Sequence, residues 1–175
     1  MAVLPIIVAP DKRLKTKCKS VDSVDENIVQ LMADMLETMY LAPGIGLAAP
    51  QIGVTKRIIV VDTAGKDEDP QPYKMVNPEL LGVSEETWIH EEGCLSLPEH
   101  YADVERPERI AVRYLDETGT RKELEADGLL ATCIQHEMDH LDGLLFVDHI
   151  SALKRNMILR KLTKSKKLDL ANAAE

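Results

Sequence analysis

The segment His136-Glu137-Met138-Asp139-His140 limits what this chain can fold into more than any other feature. It lies in a stretch from Asp127 to about Leu141 that reads as a helix, with Asp127 as N-cap and Gly143 as its stop. Residues four apart in a helix stand one turn above each other, so both imidazoles reach one point in space and Glu137 faces it. That spacing fits two metal ligands and a carboxylate placed for metal-assisted hydrolysis. An exposed polar helix face, with Glu and His paired to neighbours, is the other arrangement these residues allow. In the first case two histidines do not complete a site, and a further ligand has to be sought elsewhere in the chain.

The rest of the chain offers a core around such a helix. Its 175 residues suit one domain. With one Trp, one Phe and four Tyr, the core has to be built from Ile, Leu, Val, Met and Ala. Ser23-Val24-Asp25-Glu26 has the form of a capping box, and Ile28, Leu31, Met32, Met35 and Met39 follow at helical spacing until Pro43-Gly44, which predicts an amphipathic helix over 25–41. Strands are expected at Arg57 to Asp62, at Met75 to Pro78, and in a hairpin pairing Arg109 to Leu115 with Arg121 to Glu125. Residues 63–73 read as a polar loop, and a last helix is expected over about 151–168. Helix, strands, helix, helix is not the alternation of βαβ units, so the class is α+β: a hairpin-rich, mostly antiparallel sheet around the 127–141 helix, with an N-terminal amphipathic and a C-terminal helix.

Charge and cysteine content exclude several classes. Lys plus Arg is 21 against 30 Asp plus Glu, a net charge of −9, which argues against a whole-surface attraction to nucleic acid. Three cysteines (Cys18, Cys94, Cys133) do not form a secreted disulfide framework, so a reducing cytoplasm is expected. The N-terminus lacks the pattern of a signal peptide, and no run of ~18 apolar residues suggests a membrane span.

A catalytic centre of this type usually has three protein ligands and an open position. Phe146 stands where the metzincin pattern needs its third His. A thermolysin-like Glu is wanting, since Ser151 to Leu168 contains no carboxylate. Cys133 lies ~10 Å along the helix from His140, too far for both to hold one ion. Cys94, in Glu91-Glu92-Gly93-Cys94-Leu95-Ser96-Leu97-Pro98, would complete a sulfur-nitrogen-nitrogen set; a small buried hydrophobe is the other role open to it. A third block, Gly44-Ile45-Gly46-Leu47-Ala48-Ala49-Pro50-Gln51, has glycines that allow close backbone approach and an amide donor in Gln51.

Gly44 to Gln51, Glu92 to Ser96 and His136 to His140, in this order and with these separations, resemble the three signature motifs of peptide deformylases. Gln135 and Leu141-Asp142-Gly143 also fit, and the likeness is greatest to the bacterial type I enzymes of Gram-negative organisms. It implies a catalytic region over 1–150 with a basic helical extension over 151–175 in the same domain. It also implies removal of the N-formyl group from the N-terminal methionine of newly synthesised proteins, releasing formate. Cys94, His136 and His140 would hold Fe²⁺, with Zn²⁺, Ni²⁺ or Co²⁺ able to substitute. Metal-bound hydroxide would attack the formyl carbon with Glu137 as general base and then acid, and the Gln51 amide and Leu95 N–H would stabilise the oxyanion. The substrate peptide would pair as a strand with Ile45-Gly46 and Gly93, its methionine entering a pocket of Ile45, Leu129 and Cys133. Glu92 would support the 44–51 loop or a metal ligand. His90 and Tyr101 stand at the pocket rim, where relatives differ, and take no assigned role. A zinc-dependent amidase or peptidase using the same three ligands is the alternative.

Residues 1–150 carry 14 basic and 28 acidic side chains, whereas the last 25 carry seven basic (Lys154, Arg155, Arg160, Lys161, Lys164, Lys166, Lys167) and two acidic. A solvated helix face accounts for this pattern. The resemblance implies more, a ribosome contact through residues 154–167 of a cytoplasmic monomer.

Overall fold

The computed structural model describes residues 2–174. Helix α1 (Glu26–Leu41) begins at Asp25, whose carboxylate accepts from the Ile28 N–H at 2.9 Å. A box anchored on Ser23 would need helical backbone from Val24, but Asp25 is extended (φ −94, ψ 178) and takes the cap itself. Ile28, Met32, Met35 and Met39 form the buried stripe at the expected spacing.

That stripe packs on β2 (Ile58–Val61), whose four residues are all fully buried. Alternation explains how: Ile58 and Val60 face α1, while Ile59 and Val61 face the opposite side and α2 (Gly128–Leu141). Strand β2 is thus the middle layer between two helices. The sheet around it has five strands in the order β1-β2-β3-β6-β7, every neighbour antiparallel, with β1 (Gly46–Ala48), β3 (Tyr73–Val83), β6 (Arg109–Leu115) and β7 (Arg121–Asp127). Strand β3 runs past Pro78 because the register shifts there: Asn77 takes a positive φ of 50, and its side-chain amide bonds both the N–H and the C=O of Val21 at 2.8 Å.

A second, two-stranded sheet pairs β4 (Thr87–Cys94) with β5 (Leu97–Pro107). This separate ribbon is a finding beyond the single sheet expected. Its inward positions include Glu92 and Arg106 as well as Leu97 and Val104, so no apolar alternation marks it in the sequence.

Helix α2 ends at Leu141, and Gly143 follows with φ 76, its Cα so near the Lys15 carbonyl that a Cβ would lie 2.5 Å from that oxygen. A 3-10 turn (Phe146–His149) leads into α3 (Ala152–Asn172), which starts at the Ser151 cap and extends four residues beyond the expected end. Leu162 is its buried residue, packed with Ala9, Leu97 and Phe146. No helix among the described residues is long and apolar enough to cross a membrane.

Candidate metal centre

Two elements meet at the centre of the molecule. Helix α2 lies between the sheets and presents His136 and His140 one turn apart, both buried, their rings edge-on with centroids 5.2 Å apart. Strand β4 arrives from the second sheet and ends at Cys94, where Leu95 and Ser96 turn the chain into β5. The Cys94 Sγ stands 3.3 Å from His140 Nε2, and one ligand atom from each of Cys94, His136 and His140 lies within 4.8 Å of the others. All three cysteines are free thiols.

Around this cluster His136 and Gln51 are held by hydrogen bonds, whereas His140 Nδ1 is buried without a partner. His136 Nδ1 bonds Glu92 Oε1 at 2.7 Å, which turns Nε2 towards the cluster. Gln51, 1% exposed in the 3-10 turn after β1, accepts from the Ala48 N–H at 2.8 Å; its amide nitrogen donates to Ser96 Oγ at 3.1 Å and stands 3.5 Å from Cys94 Sγ. Glu137 is buried, and its Oε2 has no hydrogen-bond partner. Beneath it Gly46 leaves room for the carboxylate: a Cβ there would collide with Glu137 Oε1 and lie 2.8 Å from Cys133 Sγ, so both side chains would have to shift.

Burial drives the electrostatics. It pushes Glu137 up to about 7, the pull of His136 notwithstanding. Burial disfavours charge on His136 as well, but the Cys94 sulfur and the Glu92 carboxylate outweigh it and hold the imidazole well above its usual range. His140, buried and facing that charge, is pushed well below, which leaves it neutral with a lone pair to offer. For Glu92 the penalty of burial is overcome by His136 and Arg106, which keep it below the usual carboxylate range. Burial raises the Cys133 thiol, with Glu137 adding to the effect.

A cavity of about 250 Å³ opens onto these groups. Ile45 and Gly46 line one wall, Gly93, Cys94 and Leu95 the other, and Leu129, Cys133, His136 and Glu137 lie along α2. Gln51 and His140 do not line it; they sit behind Cys94 and His136. His90 and the 64% exposed Tyr101 are at its mouth, the Tyr101 ring lying so close over Gly93 that a Cβ would meet it at 2.6 Å. Glu92 bonds His136 and makes no bond to the 44–51 loop.

Sequence reasoning does not reach Arg106, Asp139 and His149. Arg106 donates to Glu92 and Asp139, and Asp139 is bonded by His149. The signal that could have found them is a pair of acids, Glu92 and Asp139, each within two residues of a proposed ligand, which calls for a cation between them once Glu92 is buried and Asp139 half-buried.

A profile of the polypeptide deformylase family matches residues 3–156. The chain is 57% identical over 172 residues to a peptide deformylase of Methylocella silvestris, covering 97% of this chain and 88% of that one. It is 52% identical to one of Agrobacterium fabrum, covering 94% of this chain and 97% of that one. Among solved structures, a peptide deformylase from Ehrlichia chaffeensis superposes with a TM-score of 0.92 at 42% identity, covering 97% of this chain and 99% of that one. The same enzyme in complex with actinonin gives 0.90 at 43%, covering 94% and 98%.

Proposed function

The chain belongs to the polypeptide deformylase family, and from that premise we propose that it removes the N-formyl group from the N-terminal methionine of newly synthesised proteins and releases formate. The observation that carries this reading is the clustering of Cys94, His136 and His140 at the back of a cavity that Cys94, His136 and Glu137 line, with the buried Glu137 Oε2 left without a partner.

The donor set fits a divalent ion. Bond lengths of ~2.3 Å to sulfur and ~2.0 Å to nitrogen in a tetrahedron put S and N about 3.5 Å apart, and Cys94 Sγ and His140 Nε2 are 3.3 Å apart. Cys94, His136 and His140 would hold Fe²⁺, or Zn²⁺, Ni²⁺ or Co²⁺ in its place, and the bound ion would supply Lewis acidity towards water and the formyl carbonyl. Glu137 takes the proton from the attacking water and hands it to the departing amine, a role suited to a carboxylate whose free oxygen no protein group occupies. Ala48 fixes the Gln51 amide with its oxygen turned away, so its NH₂ faces the Cys94 side; with the Leu95 N–H it receives the charge that develops on the formyl oxygen.

The nascent peptide lies extended between Ile45-Gly46 and Gly93, contacts that read backbone and tolerate many sequences. Its methionine side chain enters among Ile45, Leu129 and Cys133. The protein works in the cytoplasm as a monomer and docks on the ribosome through α3, whose Lys154, Arg160, Lys161, Lys164, Lys166 and Lys167 are exposed. Removing α3 would also strip Leu162 from the core, so charge reversal is the cleaner probe: Lys161→Glu with Lys164→Glu and Lys167→Glu should weaken salt-sensitive ribosome binding and spare turnover of a short peptide.

Protein prepared without oxygen should contain stoichiometric iron and hydrolyse a formyl-Met peptide. Glu137→Gln should keep the metal and lose about 10²–10⁴-fold in turnover. Full activity in that variant overturns the mechanism, and cleavage of unformylated or acetylated peptides in preference to formylated ones points to the amidase or peptidase instead.

A further inference from the structure

Arg106, on β5, is 5% exposed and grips carboxylates from two different elements. Its Nε and Nη2 donate to the two oxygens of Glu92 on β4, at 2.6 and 2.9 Å, while Nη1 donates to Asp139 Oδ2 on α2 at 2.9 Å. Glu92 stands two residues before Cys94 on the same strand and holds His136 Nδ1. Asp139 directly precedes His140, and its Oδ2 is also bonded by His149 Nε2 at 2.7 Å from the turn beyond α2. One planar group thus ties the carboxylate that bonds His136, on the strand carrying Cys94, to the helix residue next to His140.

Stability alone is a poor explanation for this arrangement, since buried ion clusters can often be exchanged for apolar groups at no loss. What an apolar cluster lacks is a rigid fork whose donors fix distance and angle on two partners at once. We propose that Arg106 is a positioning residue that sets the spacing between the strand carrying Cys94 and the helix carrying His136 and His140, and so governs how tightly and in what geometry the ion is held. This rests on those three residues being the ligands. Arg106 itself lines no part of the cavity.

Apo protein titrated with Co²⁺ reports both quantities: a chelator competition gives Kd, and the thiolate charge-transfer and d–d bands report the ligand geometry. Arg106→Lys keeps the charge but cannot span both carboxylates; Asp139→Asn weakens the helix arm and leaves the Glu92 arm intact. Arg106→Lys should raise Kd about 10–100-fold, alter the d–d intensity, and lower kcat for a formyl-Met peptide with KM unchanged. Asp139→Asn should move the same readouts in the same direction by less, and Arg113→Lys, in the exposed pair with Glu123, should move none. Arg106→Met, which loses charge and fork together, should at least match Arg106→Lys; if it fails to fold, the other two carry the test. Wild-type Kd and bands in Arg106→Lys and Asp139→Asn overturn the proposal. Wild-type protein that takes up no Co²⁺ overturns the ligand reading itself, and the clamp with it.

Discussion

Helices α2 and α3 are joined by one short turn and differ in nearly everything else. Nine of the 14 residues of α2 are buried, among them Thr132, Gln135, His136, Glu137 and His140. Of the 21 residues of α3, Leu162 is the buried one. The first is a helix the interior dictates: its side chains pack between the two sheets, and polar ones such as His136 and Gln135 are bonded there to groups from β4 and β5. The second is a helix that its own residues support, with a Ser151 cap, long straight side chains and one stripe laid on the core. The contrast teaches where change is tolerated, and four experiments press on it.

The largest effect is expected at the three proposed ligands. Cys94→Ser or His140→Ala should release the ion and take formyl-peptide hydrolysis to background, checked by metal content and turnover on the same sample. Next comes packing: Ile134→Ala, at a fully buried position of α2, should cost about 2–5 kcal/mol in urea unfolding. If the loss were below 1 kcal/mol, α2 would be no more demanding than α3.

Asp148, in the turn between the two helices, gives a smaller and pH-dependent effect. Burial would raise it, yet Lys15 Nζ at 2.8 Å and the Leu145 N–H at 2.8 Å hold it below the usual carboxylate range. A depressed folded pKa means stability that is present above the unfolded value, about 4, and is lost as pH falls through the folded one. Asp148→Asn should therefore lose about 1 kcal/mol at pH 7, and below pH 4 its stability should fall less steeply than the wild type's, measured by urea melts at both pH values. The smallest effect is expected on α3, where Met157→Ala, at a half-exposed position, should stay within about 0.5 kcal/mol of wild type.

The legible parts of this molecule are those in which local and global demands coincide. The α1 stripe repeats at helical spacing because one face meets one sheet, and the β6–β7 hairpin announces itself through its turn residues. His136 and His140 are visible for the same reason: the helix itself brings them together. The β4–β5 ribbon is hidden because its inward positions hold Glu92 and Arg106, so the alternation that marks a strand is written in charge. The clamp made by Arg106 is hidden by distance, since Asp139 lies 33 residues away and nothing local demands the contact. Cys94 falls between these cases, a ligand candidate by its chemistry that only the folded chain brings to 3.3 Å from His140.

The double-sided burial of β2 has a consequence for the order of assembly. In a chain synthesised from its N-terminus, α1 and strands β1 to β3 leave the synthesis machinery well before α2. Ile58 and Val60 can then find α1 at once, while Ile59, Val61 and Met75 remain as an uncovered apolar strip on a paired sheet. Until α2 docks, that strip is the kind of surface that chaperones hold and aggregates recruit. The same docking event brings His136 and His140 to Cys94, so the step that covers the strip also assembles the proposed metal site.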